Sequence, residues 1–193
     1  MTVTIVVARY NENIEWTKSF PNVIIYNKGN DIDDEYSVIK LNNVGREGHT
    51  YYKHIYDNYD NLDDYTIFLQ GDPFDHSSNL IDTLWKYINN KELNIDFEYI
   101  SNKLMISYNV AVGDWYHYPG LPLYHVYEYL FDEETYDKNV VFGGGAQFIV
   151  SKKQILARPR EFYLKIVELL EYDINPIEGH IIERFHPIIF NQY

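Results

Sequence analysis

Short, uninterrupted apolar runs separated by stretches of helical periodicity constrain this chain more than any other feature. Residues 3–7 (Val-Thr-Ile-Val-Val) and 23–26 (Val-Ile-Ile-Tyr) read as continuous strands, 36–41 as a third and 65–69 (Tyr-Thr-Ile-Phe-Leu) as a fourth. Between the third and fourth, Tyr51, Tyr52, Ile55, Tyr56 and Tyr59 recur at helical spacing, and residues 79–90 repeat the pattern with Leu80, Ile81, Leu84, Tyr87 and Ile88. A strand apolar along its whole length has no face to give to water, so helices must cover both sides of its sheet. The 193 residues suffice for one sizeable core and are few for two. The expected fold is therefore a single α/β domain over residues 1–193, with a mostly parallel central sheet and helices on both faces.

The second half is less regular. Residues 103–110 and 140–150 read as strands, separated by a Tyr/Pro/Gly-rich stretch over 113–137. Its aromatics (Trp115, Tyr116, Tyr118, Tyr124, Tyr127, Tyr129 and Phe131) argue against disorder and for a folded excursion over the site. Pro159 suits the first position of a helix running through Phe162, Ile166, Leu169 and Leu170. Pro176 opens another that includes Ile181, Ile182 and Phe185, and Pro187 is expected to kink or end it.

Composition removes several function classes. The chain has no cysteine, which excludes disulfides, thiolate zinc sites and Cys nucleophiles. Its net charge of −13, with no Lys/Arg-rich run, would repel a phosphate backbone, so no nucleic acid partner is expected. No apolar run approaches the ~20 residues of a membrane span, and the first residues read as a strand rather than a leader peptide. The expected setting is the cytoplasm. Twenty tyrosines suit clefts where sugars or bases stack, though the same bias fits an A/T-rich genome.

The residues that carry chemistry cluster after the strands. Behind residues 65–69 come Gln70, Gly71, Asp72, Asp75 and His76. Ligands of open α/β sheets sit beyond the carboxyl ends of strands, and two carboxylates with one imidazole suit Mg²⁺ or Mn²⁺ better than zinc. The same residues also make an ordinary turn. Gly45 and Arg46, at the start of the Tyr-rich helix, would let backbone and guanidinium approach a diphosphate; the alternative is a strand-to-helix turn in which Arg46 pairs with a carboxylate. Asn11 and Glu12 end the first strand and would face the same crevice, within reach of a base or ribose, or Asn11 or Asn13 would cap a helix. Gly143, Gly144 and Gly145 together imply a steric demand, either a ligand passing the backbone or a tight bend. His180, Glu183 and His186 recur at helical spacing. His180 is read as structural, and Glu183 and His186 as candidates for general base work. No Gly-x-Ser-x-Gly elbow supports serine hydrolysis.

Several segments recur in an order that resembles a known family. They are Val6-Val7-Ala8-Arg9-Tyr10-Asn11-Glu12, Tyr26-Asn27-Lys28-Gly29, Asn43-Val44-Gly45-Arg46-Glu47-Gly48-His49-Thr50-Tyr51, Tyr56-Asp57-Asn58-Tyr59-Asp60-Asn61-Leu62, and Phe68 to His76. Further on come Gly145-Ala146-Gln147-Phe148-Ile149-Val150-Ser151, Arg158-Pro159-Arg160-Glu161-Phe162-Tyr163 and Glu183-Arg184-Phe185-His186-Pro187-Ile188-Ile189-Phe190. Together they resemble the family catalogued as domain of unknown function 3431, found in bacteria, fungi and large DNA viruses, a resemblance that implies no settled activity. The layout is also similar to nucleotide-sugar glycosyltransferases of the GT-A type, whose first strand ends in an Asn/Glu-bearing loop and whose carboxylate-rich loop follows a later strand. Those enzymes usually carry Asp-x-Asp, where this chain has Asp72-x-x-Asp75-His76.

The leading expectation is a glycosyltransferase-like enzyme taking a nucleotide-sugar donor and a carbohydrate acceptor. Asp72, Asp75 and His76 would hold Mg²⁺ or Mn²⁺; Lys28 and Arg46 would support the phosphates. Asn11, Glu12, Gln70, Gly45, Gly144 and Gly145 would line the donor, and Glu183 or His186 would act as acceptor base. The alternatives are a metal-dependent hydrolase of a phosphate or glycosidic bond, and a non-catalytic carbohydrate-binding domain.

Overall fold

A computed structural model describes residues 1–33, 35–107, 120–133 and 139–190. Strands β1 (Val3–Arg9), β2 (Val23–Asn27), β3 (Val38–Lys40) and β4 (Tyr65–Gln70) pair in parallel in the order β3-β2-β1-β4. Two more strands, β5 (Phe97–Tyr99) and β8 (Phe148–Ser151), complete a six-stranded sheet in which β8 runs antiparallel to both β4 and β5. The strands β6 (Leu104–Ser107) and β7 (Val140–Gly143) form a separate antiparallel pair. The sheet is thus mostly parallel, as its apolar runs require.

Alternation along the strands divides the interior into two cores. Val6 and Phe68 point to one face, whereas Ile5, Val7, Ile67 and Leu69 point to the other, and all six are fully buried. Helix α1 (Arg46–Asn58) covers the first face with α3 (Leu123–Phe131), α5 (Arg160–Leu170) and α6 (Ile177–Phe190). Helix α2 (Leu80–Asn89) covers the second with a 3-10 turn over Glu15–Ser19, and the short α4 (Lys152–Ile155) follows β8. The amphipathic stripes foreseen for α1 and α2 lie where they were expected: Tyr51, Tyr52 and Ile55 are buried on α1, and Leu80, Leu84 and Tyr87 on α2.

Three features depart from the sequence-based expectation. Residues 140–150 are two strands rather than one. The chain reverses at Gly143 to Ala146, where Gly145 and Ala146 adopt left-handed φ of 81° and 51°. Helix α6 runs through Pro187 to Phe190 without ending there, because Ile188, Ile189 and Phe190 are all buried and packing outweighs the missing backbone donor. The described part of the aromatic excursion is a core element: α3 buries Leu123, Val126, Tyr127 and Leu130, with the Tyr127 ring 6.0 Å from Phe185. Residues 108–110, Trp115, Tyr116 and Tyr118 lie outside the described residues.

Candidate functional site

The parallel strands reach their carboxyl ends on one edge of the molecule. The chain builds outward from β1 through β2 to β3, then returns by α1 to place β4 on the other side of β1. Loops following β1 and β4 therefore diverge, leaving a crevice at the point where the winding reverses, the usual ligand position in such sheets. A cleft of about 570 Å³ lies there. The end of β1 supplies Ala8, Arg9, Tyr10 and Glu12, and the end of β4 supplies Gln70, Gly71 and Asp72. Lys28 follows β2; Asn43, Arg46 and Glu47 come from the entry to α1; Ile174 and Asn175 come from the loop between α5 and α6.

Arg9 organises the floor. Its guanidinium donates to Asn27 Oδ1 (2.7 Å) and to the carbonyls of Tyr10 (3.0 Å), Glu12 (3.0 Å) and Asn30 (3.1 Å), which ties the β1 and β2 loops together. Gly29 allows those loops to touch, since a Cβ there would stand 1.6 Å from the Tyr10 carbonyl oxygen. Asn11 accepts from the Asn30 N–H at 2.9 Å, and Asn13 from the Glu15 N–H at 2.9 Å; neither is the N-cap of the 3-10 turn, a position held by Ile14. Glu12 accepts from the Tyr10 N–H at 2.6 Å and lies against Gly71, where any side chain would meet its carboxylate.

Two further cations stand on the wall. Lys28 donates to the carbonyls of Val44 and Arg46, both at 2.5 Å, and burial pulls its amine down to about 8 while the Glu47 charge opposes that shift. An ammonium has three donors, so one hydrogen of Lys28 is left for the cleft. Arg46 lies within 2.8 and 2.9 Å of the two ring nitrogens of His180 and 3.6 Å from the Glu47 carboxylate. Its backbone is left-handed (φ 52°), like that of Gly45 (φ 63°). The N–H groups of Gly45 and Arg46 donate to the carbonyls of Asp173 (2.8 Å) and Ile174 (3.3 Å). The turn therefore spends these two donors on the α5–α6 loop, and what it offers the cleft is side chains.

The loop after β4 splits its candidates. Asp72 is exposed and faces the cleft; Asp75 is exposed but is not part of the lining. The His76 ring turns inward against the glycines, where a Cβ on Gly145 would stand 2.5 Å from it and one on Gly144 3.4 Å, and its Nδ1 is buried without a partner. The steric demand behind Gly145 is thus met by the protein's own imidazole, that behind Gly144 by the Met105 methyl at 3.0 Å, and that behind Gly143 by the Tyr99 ring at 2.6 Å. Among the described residues no three His, Asp or Glu side chains converge as a metal group. Asp72, Asp75 and His76 do not fit as a closed ligand set. Asp72 alone fits the partial set that Mg²⁺ or Mn²⁺ takes when phosphate oxygens and water complete its shell.

On α6 the two candidates also separate. Glu183 accepts from the Gly145 N–H at 3.0 Å; burial first, then the Glu47 charge, raises its carboxyl above the ordinary range, with Arg46 and Arg184 opposing. It feels the charges of Glu47, Arg46 and Arg184 but is not part of the cleft lining. His186 is 0% exposed, bonded to the Tyr52 hydroxyl at 2.7 Å and packed 4.6 Å from the Phe148 ring, and burial pushes it down to about 3. It belongs to the aromatic core and is not brought to the cleft. Sequence reasoning had passed over Glu47, Ile174 and Asn175. An acid in the first turn of a helix is ordinary dipole complementarity, and nothing local to residues 174–175 points across to β1.

Comparison with curated proteins and with solved structures finds no match to the chain. A family match covers residues 5–108 and 118–193, nearly the whole length, and includes every residue lining the cleft. The chain belongs to the family described as protein of unknown function (DUF3431).

Proposed function

We propose that this chain is a glycosyltransferase-like enzyme that seats a nucleotide-sugar donor in the cleft. The observation that carries the reading is the position of that cleft, at the reversal of winding between β1 and β4, with Lys28 and Arg46 on one wall and Asp72 on the other. A nucleotide diphosphate matches this arrangement, because a fixed ammonium and guanidinium bind phosphate oxygens by charge-assisted hydrogen bonds. As the bond between sugar and diphosphate lengthens, negative charge grows on the departing phosphate, and cations already held in place stabilise it without reorganising. A divalent ion, when bound, would supply further charge neutralisation at the phosphates, with Asp72 as its protein ligand. The proton of the acceptor hydroxyl is assigned to Glu47, which lines the cleft; the carboxyl of Glu183, raised by burial and by the Glu47 charge, lies outside the lining.

Calorimetric titration with UDP- and GDP-sugars, with and without Mn²⁺, tests the reading. Wild type is expected to bind at least one of them, more tightly with Mn²⁺. Asp72→Asn should remove the Mn²⁺-dependent part, whereas Asp75→Asn should leave it unchanged. Absence of binding to every nucleotide sugar, with and without the ion, would overturn the proposal. Release of free sugar at the same rate with and without any acceptor would replace it with the hydrolase reading.

A further inference from the structure

An aromatic surface runs away from the cleft. Phe74, two residues beyond Asp72, stands edge-on to Trp16 with ring centroids 5.9 Å apart; Trp16 is 6.3 Å from Phe20, and Phe20 is 5.2 Å from Trp85 on α2. Phe20 is buried and acts as the bridge, while Phe74 and Trp85 remain 37% and 36% exposed. The Trp16 indole N–H donates to the Gly71 carbonyl at 3.1 Å, and Gly71 itself lines the cleft, so the row is fixed to the cleft's edge. Helix α2 does not need Trp85 for its own packing, since Leu80, Leu84 and Tyr87 already form its buried stripe.

We propose that this row is a platform for a neutral carbohydrate chain, the acceptor of the proposed transfer. The word acceptor rests on the sugar-transfer reading; the binding of a glycan rests on the surface itself. One face of a sugar ring is made of C–H groups and packs on an aromatic ring, while its hydroxyls point outward to polar partners. Such partners flank both exposed rings. Asp75 follows Phe74 and is exposed, and the exposed Asp82 lies one turn before Trp85 on the same side of α2. The exposed Lys86 beside Trp85 and Lys18 two residues before Phe20 offset those carboxylates locally, so it is the net charge of −13 that disfavours an anionic membrane or nucleic acid here. That charge does not disfavour an uncharged glycan.

Affinity electrophoresis of the full chain through gels containing glycogen, xyloglucan or galactomannan tests the proposal. At least one polysaccharide should retard wild type. Phe74→Ala and Trp85→Ala should each weaken retardation about tenfold, the value of one aromatic contact of ~1.4 kcal/mol, and the double variant should abolish it without changing the nucleotide-sugar affinity of the cleft. Retardation by none of the three overturns the proposal, as does equal retardation of wild type and double variant. If sedimentation shows a dimer that the double variant loses, and no gel retards wild type, the row is a protein–protein surface instead. Retardation that depends on Phe74 and Trp85 in a protein that binds no nucleotide sugar would uphold the platform and remove the transferase reading.

Discussion

Arg9 and Arg46 line the same cleft and do different work there. Arg9 is buried and bonds the end of β2 and the carbonyls of the loops after β1 and β2, so its loss would unfasten the floor. Among the described residues the Arg46 guanidinium reaches His180 and the Glu47 carboxylate, which leaves further donors for a ligand. Arg46→Ala is therefore expected to weaken nucleotide binding by ~1.5–3 kcal/mol, the range for hydrogen bonds to a charged group. Unliganded stability should fall by no more than about 1 kcal/mol, because the ion pair is partly exposed and alanine inherits the same left-handed backbone. Nucleotide titrations and melting curves on the one variant decide it; normal affinity with a large loss of melting temperature would make Arg46 scaffold. That Arg46 and Lys28 would share one crevice was legible, because both come after strands that end on that edge. The role of Arg9 was not, since its acceptors come from the end of β2 and from two loops that only the folded sheet brings together.

At the scale of elements, the entry to α1 is the joint that holds the cleft's wall. Gly45 is left-handed, and a Cβ there would lie 2.7 Å from the Leu170 carbonyl oxygen at the end of α5. Its N–H and that of Arg46 hold the α5–α6 loop, which brings Ile174 and Asn175 to the cleft. Gly45→Ala should therefore combine the ~1–2 kcal/mol of a left-handed non-glycine residue with a backbone collision, and α1 and α5 would have to part. Gly120 (φ 85°) is the control, because a Cβ there meets nothing within 4 Å among the described residues. Chemical denaturation should show Gly45→Ala clearly more destabilised than Gly120→Ala, and the opposite order would refute the role given to this joint. The glycine was legible as a turn residue; its neighbour across the fold was not.

Over the whole molecule, three histidines are folded in their neutral form. His49 and His54 are drawn down to about 4 and His186 to about 3, in each case by burial first. In the unfolded chain they would titrate near 6.5. Below that value the unfolded state takes up protons that the folded state refuses, so stability is complete above pH ~6.5 and falls progressively as the pH drops toward 4. Urea midpoints measured at pH 7.5, 6.0, 5.0 and 4.5 should decline steadily, and a flat profile from 7 to 5 would show that these rings are charged or solvated in the folded state. His186 was singled out in the sequence for chemistry, and the structure gives it to this buried set.

The sequence by itself determined the four parallel strands, the two covered faces and the edge on which the candidate residues gather, because apolar runs and helical stripes report burial locally and residues following a strand must emerge at its end. Tertiary structure decided the rest. Periodicity carries no direction, so the antiparallel insertion of β8 between β4 and β5 could not be read from residues 140–150. Nor could the sorting of Asp72 into the cleft and of His76 against Gly145, which depends on where a reversal far along the chain comes to rest. Arg46 and His180 are 134 positions apart, and the wall they build exists only once α6 packs beside α1. Burial is a property each segment carries in its own pattern, whereas a binding site is made of neighbours that packing alone selects.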